Sequence, residues 1–490
     1  MKALKLVSLF TSLILLITCF TSCGDSYKDE YIYIEFNSAP ATLDPQLVKT
    51  IEEITVARAI YDTLLRYDSE GNIVASAAES YEKKGNSYIF YLREDAVWTD
   101  GTPVTADDFV YGFRRAVDPE TNAPYAVNLF SIANAYEINC GSAPISSLGV
   151  NAINDYTLKI ELIDNEPQFK EILTMPVTAP CNKDYFEACK GKYGLTTDTT
   201  ASNGSYYLRV WTKEDKYLVR LAKNLDYKGE FEANSMRVYF TCSEKDNLNL
   251  LEHENTDLAF INTNEIEASN EAGYKIISTE DTCYALYIGD SVDIEVRKAL
   301  LSTIDQATYK DALGSTQRVA KDLFPSSLSL NFNYTIGNVT KYDEATSQEA
   351  YNTAVIRGVD ITSVVIKHPS DASSEAVAKA VASHWQQKLS CFINIESTSD
   401  SAIKSSFLSG DYDIIIMPVT SSGGIVSSYL SDLGYKIGEA DNIQYQYFAQ
   451  YHCYPLYYSS TNIASIKKIS NLDNSIHYGI IDASQLIKID

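Results

Sequence analysis

The 490 residues carry no catalytic signature: no Gly-x-Ser-x-Gly elbow, no His-Glu-x-x-His, no phosphate loop and no dinucleotide fingerprint. That weighs against an enzyme and against a bound cofactor. Histidine is scarce, and His253, His368, His384, His452 and His477 fall far apart. Only His452-Cys453 could seed a metal site, and solvent or core roles weigh against it, so no metal is expected. No Cys-x-x-Cys pair occurs. Setting aside Cys19 and Cys23 leaves Cys140, Cys181, Cys189, Cys242, Cys283, Cys391 and Cys453, an odd number that makes a poor disulfide framework. Scattered single cysteines behave as small buried apolar residues, although Cys181 and Cys189 are spaced so that they could bridge.

Positive charge is also short. Forty Lys and Arg stand against 65 Asp and Glu, a formal charge of -25, which excludes nucleic acid as a partner because phosphate binding needs clustered cations. Such acidity fits a soluble protein working outside the cell. Beyond the amino terminus no apolar run approaches the roughly 20 residues of a membrane helix, and no tandem repeat or low-complexity tract appears.

What is present is globular: 45% hydrophobic and 21% charged residues in a chain long enough for two or three domains. Tyrosine is frequent at 36, offering amphipathic contact area at little entropic cost. At the amino terminus Lys2 and Lys5 precede an apolar run from Leu6 to Ile17, and small Thr21 and Ser22 precede Cys23. This reads as a secretory signal.

The clearest local grammar lies in SYIFYLREDAVWTDGTPVTADDFVYGFRRAVDP, Ser87 to Pro119. Tyr88, Phe90 and Leu92 alternate with Ile89 and Tyr91 as a strand apolar on both faces. Asp100-Gly101 marks a turn, and Thr105 with Asp108 spells a capping box ahead of Phe109, Val110, Phe113, Ala116 and Val117 at helical spacing. Asp118-Pro119 ends the helix. Upstream, Tyr31 to Phe36 alternates as a strand, and Thr50 with Glu53 repeats the capping box before Ile54, Ala57 and Ile60.

Downstream, Tyr206 to Trp211 and Tyr217 to Leu221 read as a hairpin. Ile361–Ile366, Phe392–Ile395 and Tyr412–Met417 read as strands alternating with helices over 376–389, capped by Ser373 or Ser374, and over 402–408. That β-α-β-α-β rhythm implies a parallel sheet covered by helices, whose ligands gather beyond the strand carboxyl ends.

As a word string, LREDAVWTDGTPVTADDFVYGFRRAVDPETNAPYA strongly resembles the bacterial extracellular solute-binding proteins of the oligopeptide and dipeptide family, the substrate-binding lipoproteins of ABC importers. Ala41-Thr42-Leu43-Asp44-Pro45, Tyr61-Asp62-Thr63-Leu64-Leu65, Asn224 to Tyr227, Val296 to Leu300 and Pro455 to Tyr458 extend the likeness along the chain. The resemblance implies an α/β fold, periplasmic-binding-protein-like type II, with two lobes, an extra domain and mixed sheets covered by helices. It divides the chain into a lipoprotein signal peptide (1–23), lobe I (24–70, 190–290 and 455–490), an extra domain inserted in lobe I (71–189) and an abbreviated lobe II (291–454). Phe20-Thr21-Ser22-Cys23 resembles a lipobox in which Phe20 departs from the usual aliphatic residue, and Cys23 would carry the lipid that tethers the protein to the outer membrane face. The implied partners are a peptide ligand and the ABC permease and ATPase subunits.

Carried over residue by residue, the resemblance places Lys49, Thr50 and Ile51 against the ligand's backbone and Tyr125 in the cleft. It adds a strand edge at Pro418, Val419, Thr420, Ser421 and Ser422. Thr50 read alone is equally a helix cap, and Tyr125 a structural tyrosine. In that family an Asp beyond the Gly-x-x-Asp strand receives the peptide's ammonium, and the matching position here is Ser422, which supplies no charge. Either the ligand lacks a free ammonium, as a blocked peptide or another solute would, or another acid such as Asp411 or Asp432 reaches the cleft. A surface or signalling lipoprotein without transport is the alternative of a different class.

Overall fold

A computed structural model of the protein describes residues 31–489 apart from 213–216, 230–232, 234, 236, 243–246, 254–255, 315, 329–341, 360–363, 435–449 and 467. The signal segment and Cys23 lie outside the described residues, as does much of the stretch expected to be abbreviated in lobe II.

An eleven-stranded mixed sheet runs through the molecule in the order Asn394–Thr398, Val365–Pro369, Ile414–Thr420, Lys275–Ile288, Cys453–Ser465, Leu258–Ile261, Tyr31–Phe36, Arg237–Cys242, Tyr217–Lys223 and Tyr206–Thr212, with Arg318–Val319 joined to Cys453–Ser465. In one half, Tyr31–Phe36 is parallel to both its neighbours, and the hairpin read from the sequence closes the edge. In the other, Val365–Pro369 lies parallel between Asn394–Thr398 and Ile414–Thr420. The helices Ala372–Leu389 and Asp400–Ser409 make the crossovers, as the β-α-β-α-β rhythm requires. The first of these helices is capped by Asp371, whose side chain accepts from the Ser374 amide, so the cap falls two residues before the serines expected. Two of the strands start two residues later than their apolar runs suggest, at Asn394 and Ile414, and Phe392 is left 67% exposed; residues 361–363 of the remaining run lie outside the described residues.

The two halves share their central strands. Asn462–Ser465 pairs with Leu258–Ile261 on the lobe I side, whereas Thr282–Ile288 pairs with Ile414–Thr420 on the lobe II side. Leu286, Ile288, Leu456 and Tyr457 sit in one core with Trp385 and Val377 of the lobe II helix. The two long strands therefore change partner from one half to the other near Asp281 and Ser459, in mid-strand, where the register between them steps by a bulge at Asp281.

The inserted residues form a separate antiparallel sheet, Ala78–Lys84, Ser87–Leu92, Thr157–Glu161 and Val150–Asn154 in spatial order. Tyr88, Phe90 and Leu92 are buried there, but Tyr91 is 41% exposed, so this strand is covered on one face only. The following helix, Ala106–Val117, begins as its sequence demands: Asp108 Oδ2 accepts from the Thr105 amide at 2.8 Å and from Trp98 Nε1 at 3.2 Å. Arg115 of this helix ties the insert to lobe I through the buried carboxylate of Asp44, at 2.6 Å. The seven described cysteines are free thiols, Cys181 and Cys189 included, and Cys181, Cys283, Cys391 and Cys453 are buried.

Candidate functional site

On the lobe I side, next to the crossing strands, a cavity of about 340 Å³ opens beyond the carboxyl ends of Tyr31–Phe36 and Leu258–Ile261. Asn37, Ile51, Glu52, Thr263 and the strand residues Ser459 to Asn462 are among its walls, and no Lys, Arg or His lines it. Parallel strands end on this side in both lobes, which is where such sheets gather small molecules.

On the lobe I side, Thr50 caps the helix Ile51–Ile60, its Oγ1 accepting from the Glu53 amide at 3.2 Å. Glu53 does more than close the capping box. Its Oε2 accepts from the amides of Lys49 at 2.8 Å and Thr50 at 3.3 Å, and its Oε1 from Ala41 at 3.0 Å and Thr42 at 3.4 Å. One buried carboxylate thus fixes both ends of the Leu-Asp-Pro loop. Tyr125 adds a fifth bond, its hydroxyl donating to the Lys49 carbonyl at 2.9 Å. Lys49, Thr50, Ile51 and Tyr125 are therefore brought together, with Thr50 acting as a cap and Tyr125, 7% exposed, bracing the segment from behind. Of the four, Ile51 lines the cavity.

On the lobe II side, Ile414–Thr420 is paired along one edge through all seven residues with Thr282–Ile288. Along its other edge only Ile414 and Ile415 meet Val365–Pro369, so among the described residues no strand continues that pairing past Ile415. An open edge from Met417 onward suits an extended guest, although Pro418 brings no N–H. Strand alternation splits the predicted side chains. Thr420 Oγ1 meets Thr282 Oγ1 at 2.9 Å on one face, whereas Val419 packs on the other with Met417 and Cys283. Val419 is 2% exposed and so cannot present its side chain to a guest. Ser421 is turned inward too, its Oγ 2.7 Å from that of Ser327 and its amide donating to the Asp281 carbonyl at 2.8 Å. The Ser422 side chain lies outside what is described; its backbone opens the 3-10 turn Ser422–Gly424. Neither acid offered in its place is nearby: Asp411 precedes the opposite end of this strand, and Asp432 bonds Lys404 at 2.6 Å on the surface.

Gly423 and Gly424 both hold positive φ, +68° and +70°. A Cβ on the first would sit 2.6 Å from Met175 Sδ, and on the second 2.3 Å from the Tyr478 ring. These glycines let the opposite lobe approach the backbone. Around them the lobes are joined. Gln168 Nε2 donates to the Gly424 carbonyl and its Oε1 accepts from the Val426 amide, each at 2.9 Å, while Ser427 Oγ donates to Asn128 Oδ1 at 2.8 Å. Ile425, 1% exposed, is buried in the lobe I core. Burying such a side chain contributes on the order of 1.5–3 kcal/mol to closure.

Sequence reasoning missed Gln168, Tyr478 and, above all, Asp281. Asp281 is the extra residue of a bulge: the register with Cys453–Ser465 steps from Glu280 opposite Ser460 to Thr282 opposite Ser459. Its carboxyl is 1% exposed, and burial pushes it up to about 6, with the Thr461 and Thr282 hydroxyls drawing it part of the way back. Two consecutive acids, Glu280-Asp281, interrupting an otherwise strand-forming run are the signal that marks the place. His452 supplies no metal site: it lies against Arg297 and the Ile288 carbonyl, and no cluster of metal-ligating side chains occurs among the described residues.

Solved structures share this architecture. OppA of Burkholderia pseudomallei superposes with a TM-score of 0.76 at 19% identity, covering 94% of this chain and 100% of that one. Listeria monocytogenes OppA bound to peptide gives 0.75 at 20%, covering 94% and 100%. At this identity the likeness establishes the fold, the type II two-lobed arrangement. Among curated proteins, the periplasmic oligopeptide-binding protein OppA of Escherichia coli is 38% identical over 181 residues, 36% of this chain and 33% of its own length. The match to its Salmonella typhimurium counterpart likewise spans 38% of that protein. The probable deoxycholate-binding periplasmic protein YgiS of Escherichia coli is 26% identical over 436 residues, 85% of this chain and 79% of its own length. The model of bacterial extracellular solute-binding proteins, family 5, matches residues 72–439, and the chain belongs to that family.

Proposed function

We propose that the protein captures a peptide between its lobes outside the cell and hands it, unaltered, to the permease of an ABC importer, with a lipid on Cys23 holding it at the membrane face. The observation that carries this reading is the junction itself. A helix amino end locked by Glu53 borders a cavity beside the crossing strands, while the facing lobe offers an open strand edge from Met417 and two glycines pressed against lobe I. Oligopeptide-binding proteins named OppA among its relatives support a peptide as the guest. Hinge closure through Gln168, Asn128 and Ile425 excludes water, while a peptide backbone completes the strand edge. Nothing in the arrangement calls for turnover, since the candidate walls bring together no nucleophile with a base.

A second reading, a non-peptide solute, is favoured by the YgiS relative, which matches over most of both chains. The acidic cavity speaks against a bile-acid anion in that role, because Glu52 lines it without a compensating base. To decide, the full chain is expressed and recovered, from the membrane fraction where Cys23 is lipidated, then incubated with a random peptide library. Species that co-elute with the protein are identified by mass spectrometry. Peptides retained at one per protein are expected; an eluate without peptides alongside a tightly held non-peptide compound sinks the peptide reading.

A further inference from the structure

A groove of about 840 Å³ opens where the insert meets lobe I, and it shares no residue with the cavity beside the crossing strands. Its walls come from the helix Ala106–Val117, the short helix Lys183–Ala188 and the loops around Asp44 and Tyr193. That volume falls within the range of small-molecule sites, roughly 300–1,000 Å³. Part of the lining is aromatic. Tyr111 meets Phe186 edge-on with ring centroids 5.9 Å apart, and Phe186 meets Tyr193 in the same way at 5.4 Å. Leu195, in the same wall, is left 41% exposed.

The charges along the groove are of two kinds, engaged and free. Asp44 holds Arg115 at 2.6 Å, and Arg115 in turn lies over the Phe186 ring with its Cζ 3.9 Å from the centroid. Asp108 accepts from the Thr105 amide and from Trp98, and Asp118 Oδ1 accepts from the Glu120 amide at 3.0 Å. Asp107 and Glu120 are exposed, one at each end of the long helix. Arg114 is the exception. Among the described residues its guanidinium makes no hydrogen bond or ion pair, and its Nε is buried without an acceptor. Asp118 stands four residues along the same helix, the spacing at which opposite charges pair, yet its carboxylate is turned to the chain beyond the helix. An ordinary surface arginine satisfies its donors with water. Water does not reach this Nε, and a buried donor left unmatched costs free energy.

We propose that the groove is a second ligand site, taking a small aromatic or cyclic acid whose ring lies against Tyr111 and Phe186 and whose carboxylate is received by Arg114. A guanidinium presents its donors as a planar fork that matches a carboxylate, and aromatic rings pack edge-on or offset against one another. An uncharged ring would fill the same walls but leave the fork without its anion. The assignment stands whichever solute the cleft holds, since the two hollows have separate walls.

Three probes with one ring system and different charge test it: 2-naphthoate, 2-naphthylmethanol and 2-naphthylmethylammonium, each titrated into the full chain by calorimetry. One naphthoate per protein is expected, held about ten-fold or more tightly than the alcohol, with the ammonium weakest. Arg114→Gln should bring naphthoate down to the affinity of the alcohol and leave the alcohol unchanged. Leu195→Asp, at an exposed position, sets an acid in the wall and should weaken naphthoate by about ten-fold while the arginine stays in place. Naphthoate bound no more tightly than the alcohol or the ammonium, or bound with undiminished affinity by either variant, overturns the assignment, as does a wild type that binds no naphthoate. Arg114→Met, measured identically, replaces Arg114→Gln should the latter not fold.

Discussion

Two carboxylates buried to the same degree stand on opposite sides of the cleft and do opposite things. Glu53 and Asp281 are each 1% exposed. Glu53 gathers four backbone amides from two ends of a loop, whereas the Asp281 carboxyl has mainly the hydroxyls of Thr282 and Thr461 to set against its burial. The first is a fixed joint, because every lone pair it turns inward already has a donor. The second carries an unmet requirement into the folded state. Burial alone therefore does not fix what a carboxylate contributes; the donors around it do.

The comparison breaks first at Glu53. Glu53→Ala leaves several amides without their acceptor and should destabilise the protein by about 3–4 kcal/mol, read as an earlier midpoint in urea. An unchanged midpoint would show that water replaces the carboxylate without cost. Asp281→Asn should act in the reverse direction. A carboxyl whose folded pKa is near 6 against roughly 3.9 unfolded favours the folded state only while protonated, so its contribution is lost as pH rises from about 4 through about 6. The unliganded variant should thus be more stable than wild type by about 2–3 kcal/mol at pH 7.5, with the difference vanishing near pH 4. A difference independent of pH would show that the carboxyl is not held up by burial. The smallest effect is expected at Tyr125, whose hydroxyl braces a Lys49 carbonyl on an otherwise exposed residue. Tyr125→Phe should cost about 1 kcal/mol in the same denaturation measurement, and a loss above twice that would place Tyr125 among the joints with Glu53.

Legibility followed sequence distance. The capping boxes Thr50–Glu53 and Thr105–Asp108 span three residues, and both form as written. Parallel strands and crossover helices in lobe II were equally readable, because each declares itself by its own periodicity. Contacts that close the cleft were not: Gln168 meets Gly424 across 256 positions, and neither residue announces the other. The inward turn of Val419 and Ser421 follows from register against Lys275–Ile288, which no local pattern specifies. The change of partner inside the two long strands is equally silent in the sequence, since it falls within runs that read as strand on both sides.

That pair of through-going strands has a mechanical consequence. Two ribbons laced together by their ladder cannot swivel independently, so the jaws can part only by flexing the laminate across one line. Its register is skipped at Asp281 and again past Tyr284, and those breaks in the ladder are where such a laminate bends most readily.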